Sequence, residues 1–203
     1  MFHVKHEGWG APGGLSFTGH QVDQLVRYER FLLDRAIPTG AVAPGDADRL
    51  RERHILDSLR GARLLPDVAG TACDLGSGAG LPGIPIAIAR PGVRVTLSER
   101  RRSRRALLES AAEAVGVANL AIVGRVEDLD GPFDACLARA FANVAGAWAV
   151  ARRILAPAGV LLYWAGEHAG RTAVLQPPAG AWARVRTEDA LARGGPVVIM
   201  GRQ

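Results

Sequence analysis

Lysine is almost missing from this chain. Of 25 basic residues, only Lys5 is a lysine and the other 24 are arginine. Alanine is abundant too, and a GC-rich genome writes such a skew. Arginine richness alone therefore does not identify a partner, although a net charge of +5 is compatible with a polyanion such as nucleic acid. Cysteine is nearly as scarce. Cys73 and Cys136 each sit in an apolar run with no metal-type spacing. That argues against a disulfide framework or a cysteine-built zinc site and suits small buried residues in a reducing compartment. No apolar run approaches the ~18 residues of a membrane span. The opening "MFHVKHEGWGAPGG" places charges and glycines where a signal peptide needs an apolar block, so a cytoplasmic protein is expected. Repeats and low-complexity tracts are absent as well.

What is present is apolar material for a core: 48% of 203 residues. Residues 1–17 are glycine-rich and read as a loose N-terminal stretch, and residues 18–203 as a single domain. Leu25, Val26, Phe31, Leu32 and Leu33 recur at helical spacing over Asp23–Ala36. "IPTGAVAPGD" breaks that helix, and Asp46 is placed to cap a second one through Leu59. After Pro66, short apolar runs alternate with helical segments. Strands are expected at Thr71–Leu75, Arg94–Leu97, Leu120–Val123, Phe133–Ala138 and Gly159–Trp164, with later ones at Ala183–Thr187 and Pro196–Met200. Helices are expected at Ile84–Ala89, Arg102–Val115 and Val144–Leu155. Apolar strands alternating with helices predict a doubly wound α/β fold around a mostly parallel sheet.

In such a sheet, ligands bind beyond the carboxyl ends of the strands where strand order reverses. The first strand runs into Gly76-Ser77-Gly78-Ala79-Gly80-Leu81-Pro82-Gly83. Two registers fit. Gly78 to Gly83 matches the G-x-G-x-x-G of dinucleotide sites, a weak signal alone. Asp74 to Gly80 instead sets an acid two residues before G-x-G-x-G, the loop of enzymes that use S-adenosylmethionine. A carboxylate favours that cationic cofactor and would repel a diphosphate. Glu99 ends the second strand, where it can accept hydrogen bonds from both hydroxyls of a ribose; this serves either cofactor.

"DLGSGAGLPGIPIAIARPGVRVTLSER" resembles the ribosomal RNA small subunit methyltransferase G family, also called glucose-inhibited division protein B, and "GLPGIP" is its distinctive part. "RHILDSL" (Arg53–Leu59), "GRVEDL" (Gly124–Leu129) and "FDACLARAFANV" (Phe133–Val144) resemble further stretches of the same family, in the same order. The resemblance covers about Asp46 to Gly166. It implies a Rossmann-like, seven-stranded methyltransferase domain with N-terminal helices, S-adenosylmethionine as cofactor, and N7 of a guanosine in 16S ribosomal RNA as acceptor, in naked RNA or a small ribosomal subunit. It also implies cofactor contacts at Gly76, Gly78, Leu81, Glu99, Val126, Glu127 and Arg139. Val126 and Glu127 would flank the adenine, and Arg139 would stand at the methyl-donor end.

The chemistry agrees with what is missing. Guanine N7 offers a lone pair and needs no general base, so catalysis reduces to positioning. No Asn/Asp-Pro-Pro-Tyr motif for exocyclic amines follows the fourth strand, where Ala138-Arg139-Ala140-Phe141 stands. Cys136 lies mid-strand and reads as core rather than nucleophile. No metal is expected, and no membrane partner. Phe141 can stack on an unstacked base or belong to the core. Arg100, Arg101 and Arg104 crowd a helix start, which already carries partial positive charge, so phosphate contact explains them as well as a solvated face does. His54 and Asp57 share a helix face; they either lie near the site or close the N-terminal helices over the sheet. This chain also departs from the family's pattern: Ala165 and Ser103 stand where lysine is usual, and an Asn-Leu-Thr-like segment is replaced by "AIPTGAVAPGD". The rival readings are a small-molecule methyltransferase, a nicotinamide-dependent or nucleotide-binding protein, and a non-catalytic paralogue.

Overall fold

A computed structural model describes residues 14–129, 131–166, 177–187 and 195–203. Seven strands form one sheet: β1 (Thr71–Leu75), β2 (Arg94–Ser98), β3 (Leu120–Val123), β4 (Phe133–Arg139), β5 (Leu155–Trp164), β6 (Ala181–Arg186) and β7 (Val197–Arg202). Their order is β3-β2-β1-β4-β5-β7-β6. The first five run parallel, and β7 inserts antiparallel between β5 and β6.

Alternate residues of each central strand enter different cores. Ala72, Leu97, Leu137 and Leu162 face one core, with α1 (Gly19–Phe31), α2 (Asp57–Leu64), α3 (Gly83–Ala89) and α4 (Arg102–Val115). Cys73, Leu75, Cys136, Ala138 and Leu161 face the other, against Trp148 and Ala151 of α5 (Val144–Ile154). Burial on both faces explains why these strands read as unbroken apolar runs.

The N-terminal segments differ from the sequence expectation. α1 begins at Gly19, earlier than Asp23, because Thr18 caps it: the Gln21 N–H donates to Thr18 Oγ1 at 3.3 Å and the Thr18 N–H to Gln21 Oε1 at 2.9 Å. Leu32–Ala36 then continues as a π-turn. The expected helix from Asp46 to Leu59 is instead a 3-10 segment (Pro44–Arg49), a π-turn (Arg51–Leu56) and α2, which runs on to Leu64. Asp46 makes no cap; its carboxylate is taken by His54 and arginines. β5 also starts earlier than expected, at Leu155. The reading of residues 1–17 as loose falls mostly on residues outside the described ones.

α1 is stapled across the mouth of the sheet. Tyr28 Oη donates to the Ala79 carbonyl at 3.0 Å, Gln21 Nε2 to Ile88 O at 2.8 Å, and Gln24 Nε2 to Gly116 O at 2.8 Å. One helix thereby fixes the glycine loop, α3 and the end of α4.

Candidate functional site

Strand order reverses between β1 and β4, and Leu75 pairs with Ala138. The residues that follow these two strands therefore emerge side by side. Gly76 (φ 70°) and Gly78 (φ 59°) lie in the left-handed region, where a side chain is strained. A Cβ on Gly76 would also come within 2.7 Å of the Phe141 ring. A Cβ on Gly78 would meet only the Gly76 carbonyl, at 3.9 Å, so that face of the loop is bare.

Glu99 is locked onto this loop. Its Oε2 accepts the Gly78 N–H at 3.1 Å and its Oε1 accepts the Arg101 N–H at 2.9 Å. Each carboxylate oxygen can accept a second bond, so the group is fixed in place yet still has acceptor capacity. Val126 is buried and Glu127 exposed in the short turn after β3, on the far side of Glu99's strand from the loop. Leu81 is half-buried just after the loop.

Asp74, expected to face a cationic ligand, is turned inward. It is 1% exposed; Oδ2 accepts the Gly83 N–H at 3.1 Å, and Oδ1 has no partner. Burial raises its carboxyl to about 7 against the opposing hydrogen bond from Gly83. It braces the loop from beneath and acts on a ligand above only through its field.

Arg139 ends β4 and is held from the helical side. Its Nη2 donates to Arg53 O at 2.8 Å and to His54 Nδ1 at 3.1 Å, and its Nη1 to His54 O at 3.3 Å and Ser58 Oγ at 3.4 Å, with Asp57 Oδ2 at 3.6 Å. Because arginine only donates, His54 Nδ1 is the acceptor, and Nε2–H points to Asp46 Oδ2 at 2.9 Å. Burial first, then the Arg139 charge, lowers the His54 pKa despite Asp46, so the ring is neutral. His54 thus joins the site through Arg139. Asp57 pairs with the buried Arg60 at 2.8 Å, and its carbonyl accepts Trp164 Nε1–H at 3.0 Å. A cavity of about 360 Å³ opens here, lined among others by Asp46, His54, Asp57, Arg139, Tyr163 and Trp164.

The basic run divides. Arg100 and Arg101 are exposed. Arg104 Nη2 reaches the Gly40 carbonyl at 2.7 Å, and Arg105 Nη1 holds the Glu99 and Arg100 carbonyls at 3.0 and 2.9 Å. Arg101 and Arg104 also line a second groove with Arg35, Thr39 and Ser103. Burial pushes the Cys73 thiol up to about 12 and Cys136 well above its ordinary value, so neither is a thiolate nucleophile at neutral pH. Among the described residues, no group of three or more His, Cys, Asp or Glu could hold a metal ion, and no helix is long and apolar enough to cross a membrane.

Sequence reasoning missed Tyr28, Asp46 and Tyr163. Asp46 carried a signal, the dense run of charges from Asp46 to Asp57, but a capping role explained it first. Tyr28 and Tyr163 lie in ordinary apolar periodicity and carried none.

The model of the rRNA small subunit methyltransferase G family (GidB) matches residues 21–180. A ribosomal RNA small subunit methyltransferase G from Mycobacterium sp. (strain JLS) is 41% identical over 110 residues, which is 54% of this chain and 48% of that protein. One from Mycobacterium leprae (strain Br4923) is 34% identical over 191 residues, 83% of this chain and 77% of that protein. The chain therefore spans about half the length of the first relative and about three quarters of the second. Among solved structures, a mutant of MtNAS in complex with S-adenosylmethionine has a TM-score of 0.56 at 17% identity, over 89% of this chain and 72% of that one. That likeness is one of fold.

Proposed function

Since the chain belongs to the rRNA small subunit methyltransferase G family, we propose that it methylates N7 of a guanosine in 16S ribosomal RNA, with S-adenosylmethionine as donor, in the cytoplasm. Its substrate is the RNA or the small ribosomal subunit. The observation that carries this reading is the fixed Glu99 carboxylate bonded to the bare Gly78 backbone, beside the loop's junction with β4.

The residues present fit the cofactor. Glu99 has acceptor capacity left for two sugar hydroxyls. Gly78 lets a ligand approach the backbone, and Gly76 makes room for the Phe141 ring. The buried Asp74 adds negative potential beneath a cation. When bound, S-adenosylmethionine supplies a methyl group activated by a sulfonium. Val126 and Glu127 would flank the adenine, and Arg139 would hold the wall at the methyl end. Phe141 packs on Gly76 at the turn after β4, where it would border the acceptor. N7 has no proton to lose, so no general base is needed, and both ring nitrogens of His54 are engaged. Rate enhancement then comes from aligning N7 with the methyl group.

The test is methyl transfer from labelled cofactor to 16S rRNA and to small subunits, with mass mapping of the modified base. Transfer to guanosine N7 is expected; cofactor binding without any transfer to RNA refutes the acceptor assignment. A small-molecule acceptor is the second reading, favoured by Ala165 and Ser103, which withhold cations. It predicts activity indifferent to salt, whereas an RNA enzyme weakens steeply as salt rises.

A further inference from the structure

The cavity at the carboxyl ends of β4 and β5 adjoins Arg139 but is not covered by the cofactor contacts above. Its volume, about 360 Å³, falls within the range of small-ligand sites, roughly 300–1,000 Å³. Tyr163 and Trp164, neighbours on β5, border the cavity from opposite faces of the sheet, the half-buried Tyr163 on the α5 side and the buried Trp164 on the α2 side. Trp164 is pinned through Nε1, and Tyr163 Oη donates to the Ala142 carbonyl at 3.0 Å, which fixes its ring beside the Ala140–Phe141 turn. Two carboxylates also border the cavity. Asp57 is spent there, held between Arg60 and Arg139 and 6% exposed. Asp46 differs. His54 holds its Oδ2 at 2.9 Å, while Oδ1 faces Arg53 and Arg49 at 3.3 and 3.7 Å, and both of those side chains are more than a third exposed. The neutral His54 ring spans Asp46 and Arg139, so it fixes the distance between the carboxylate and the end of β4.

We propose that this cavity receives the acceptor guanine, unstacked from the RNA, and that Asp46 selects it by accepting hydrogen bonds from its N1–H and N2–H edge. The inference rests on the guanosine reading above and adds the subsite. Guanine alone among the RNA bases offers two adjacent donors of that kind to the two oxygens of a carboxylate. Adenine presents an acceptor at N1, and uracil a single ring N–H. A base taken out of its stack is commonly stacked on an aromatic side chain, here Tyr163, and read on its Watson–Crick edge. The carboxylate also matches the chemistry. The methyl group leaves the sulfonium as N7 donates its lone pair into the new N–C bond, and the positive charge passes to the purine. A hydrogen bond from N1–H to Asp46 strengthens as that charge develops.

The experiment compares RNA bearing guanosine with RNA bearing inosine at the target position. Inosine lacks only the N2 amine. Wild-type enzyme should lose about ten- to a hundredfold in kcat/KM on inosine, the usual worth of a hydrogen bond to a charged group. Asp46→Asn should lose a similar factor on guanosine and under threefold more on inosine, with its cofactor Kd unchanged. Equal losses by Asp46→Asn on both substrates would reduce the residue to its pairing with His54 and overturn the proposal. Equal use of guanosine and inosine by the wild type would overturn it without any variant. A wild type that binds cofactor but methylates neither RNA sinks the functional reading itself, a result distinct from both.

Discussion

At the scale of single residues, the glycine loop hangs on two carboxylates with opposite situations. Asp74 is buried with its pKa raised from 3.8 to about 7. The folded state then holds a proton that the unfolded chain has released. Stability from this group is fullest below pH 4, falls as pH rises from about 4 to about 7, and is level above that, by up to about 4 kcal/mol. Asp74→Asn keeps an oxygen for the Gly83 N–H and removes the titration. Its melting temperature relative to wild type should rise between pH 5 and pH 8, and a constant difference would contradict the assignment. A cation bound above the loop favours ionised Asp74, so S-adenosylmethionine should release protons near pH 7, measurable by calorimetry in buffers of different ionisation enthalpy. Glu99 is the carboxylate proposed to face the ligand. Glu99→Ala should weaken cofactor binding about ten- to a hundredfold, because it removes charged acceptors and frees Gly78 and Arg101 N–H groups from their partner. The sequence made Glu99 legible by its place after β2. It could not show that Asp74 turns inward, since facing direction at a strand end depends on what packs there, here Gly83 and Leu97.

At the scale of elements, the central strands and α4 were legible because burial on both faces, or on one stripe, leaves a pattern in the residues. Thr71–Leu75, Leu120–Val123 and Arg102–Val115 are found with the expected bounds. The N-terminal segments were not legible to that degree. Their π-turns keep apolar residues close to helical spacing, so periodicity does not separate them from α-helix. Yet these segments supply His54, Asp46 and the carbonyls that hold Arg139. α1 makes a parallel contribution through Tyr28, whose hydroxyl is its link to the loop carbonyl of Ala79. Tyr28→Phe leaves the ring in the core and strands that carbonyl. It should cost about 1 to 2 kcal/mol of stability by chemical denaturation and loosen cofactor binding severalfold by freeing the loop. Unchanged cofactor affinity would mean that the loop holds its shape without α1.

At the scale of the whole molecule, the site occupies one rim of the sheet, and the proposed RNA substrate requires a surface that leads to it. Net charge cannot identify that surface, because arginine richness here follows composition. Placement can. Arg35, from the turn after α1, lines a groove of about 350 Å³ with Arg101, Arg104, Thr39 and Ser103. Arg101 connects this groove to the cofactor side, since its backbone N–H holds Glu99 while its side chain is exposed. A side-chain substitution there changes the groove and spares the backbone contact. A single-stranded RNA that neutralises such cations releases about 0.7 counterions for each phosphate contacted. The double substitution Arg35→Glu with Arg101→Glu should therefore reduce the slope of log K against log salt for rRNA binding by about 1.4. It should raise KM for RNA, leave the cofactor Kd within about twofold, and alter kcat little at saturating RNA. A slope unchanged by the double substitution would place the RNA on another face, and the arginines at the start of α4 would then be a solvated helix end.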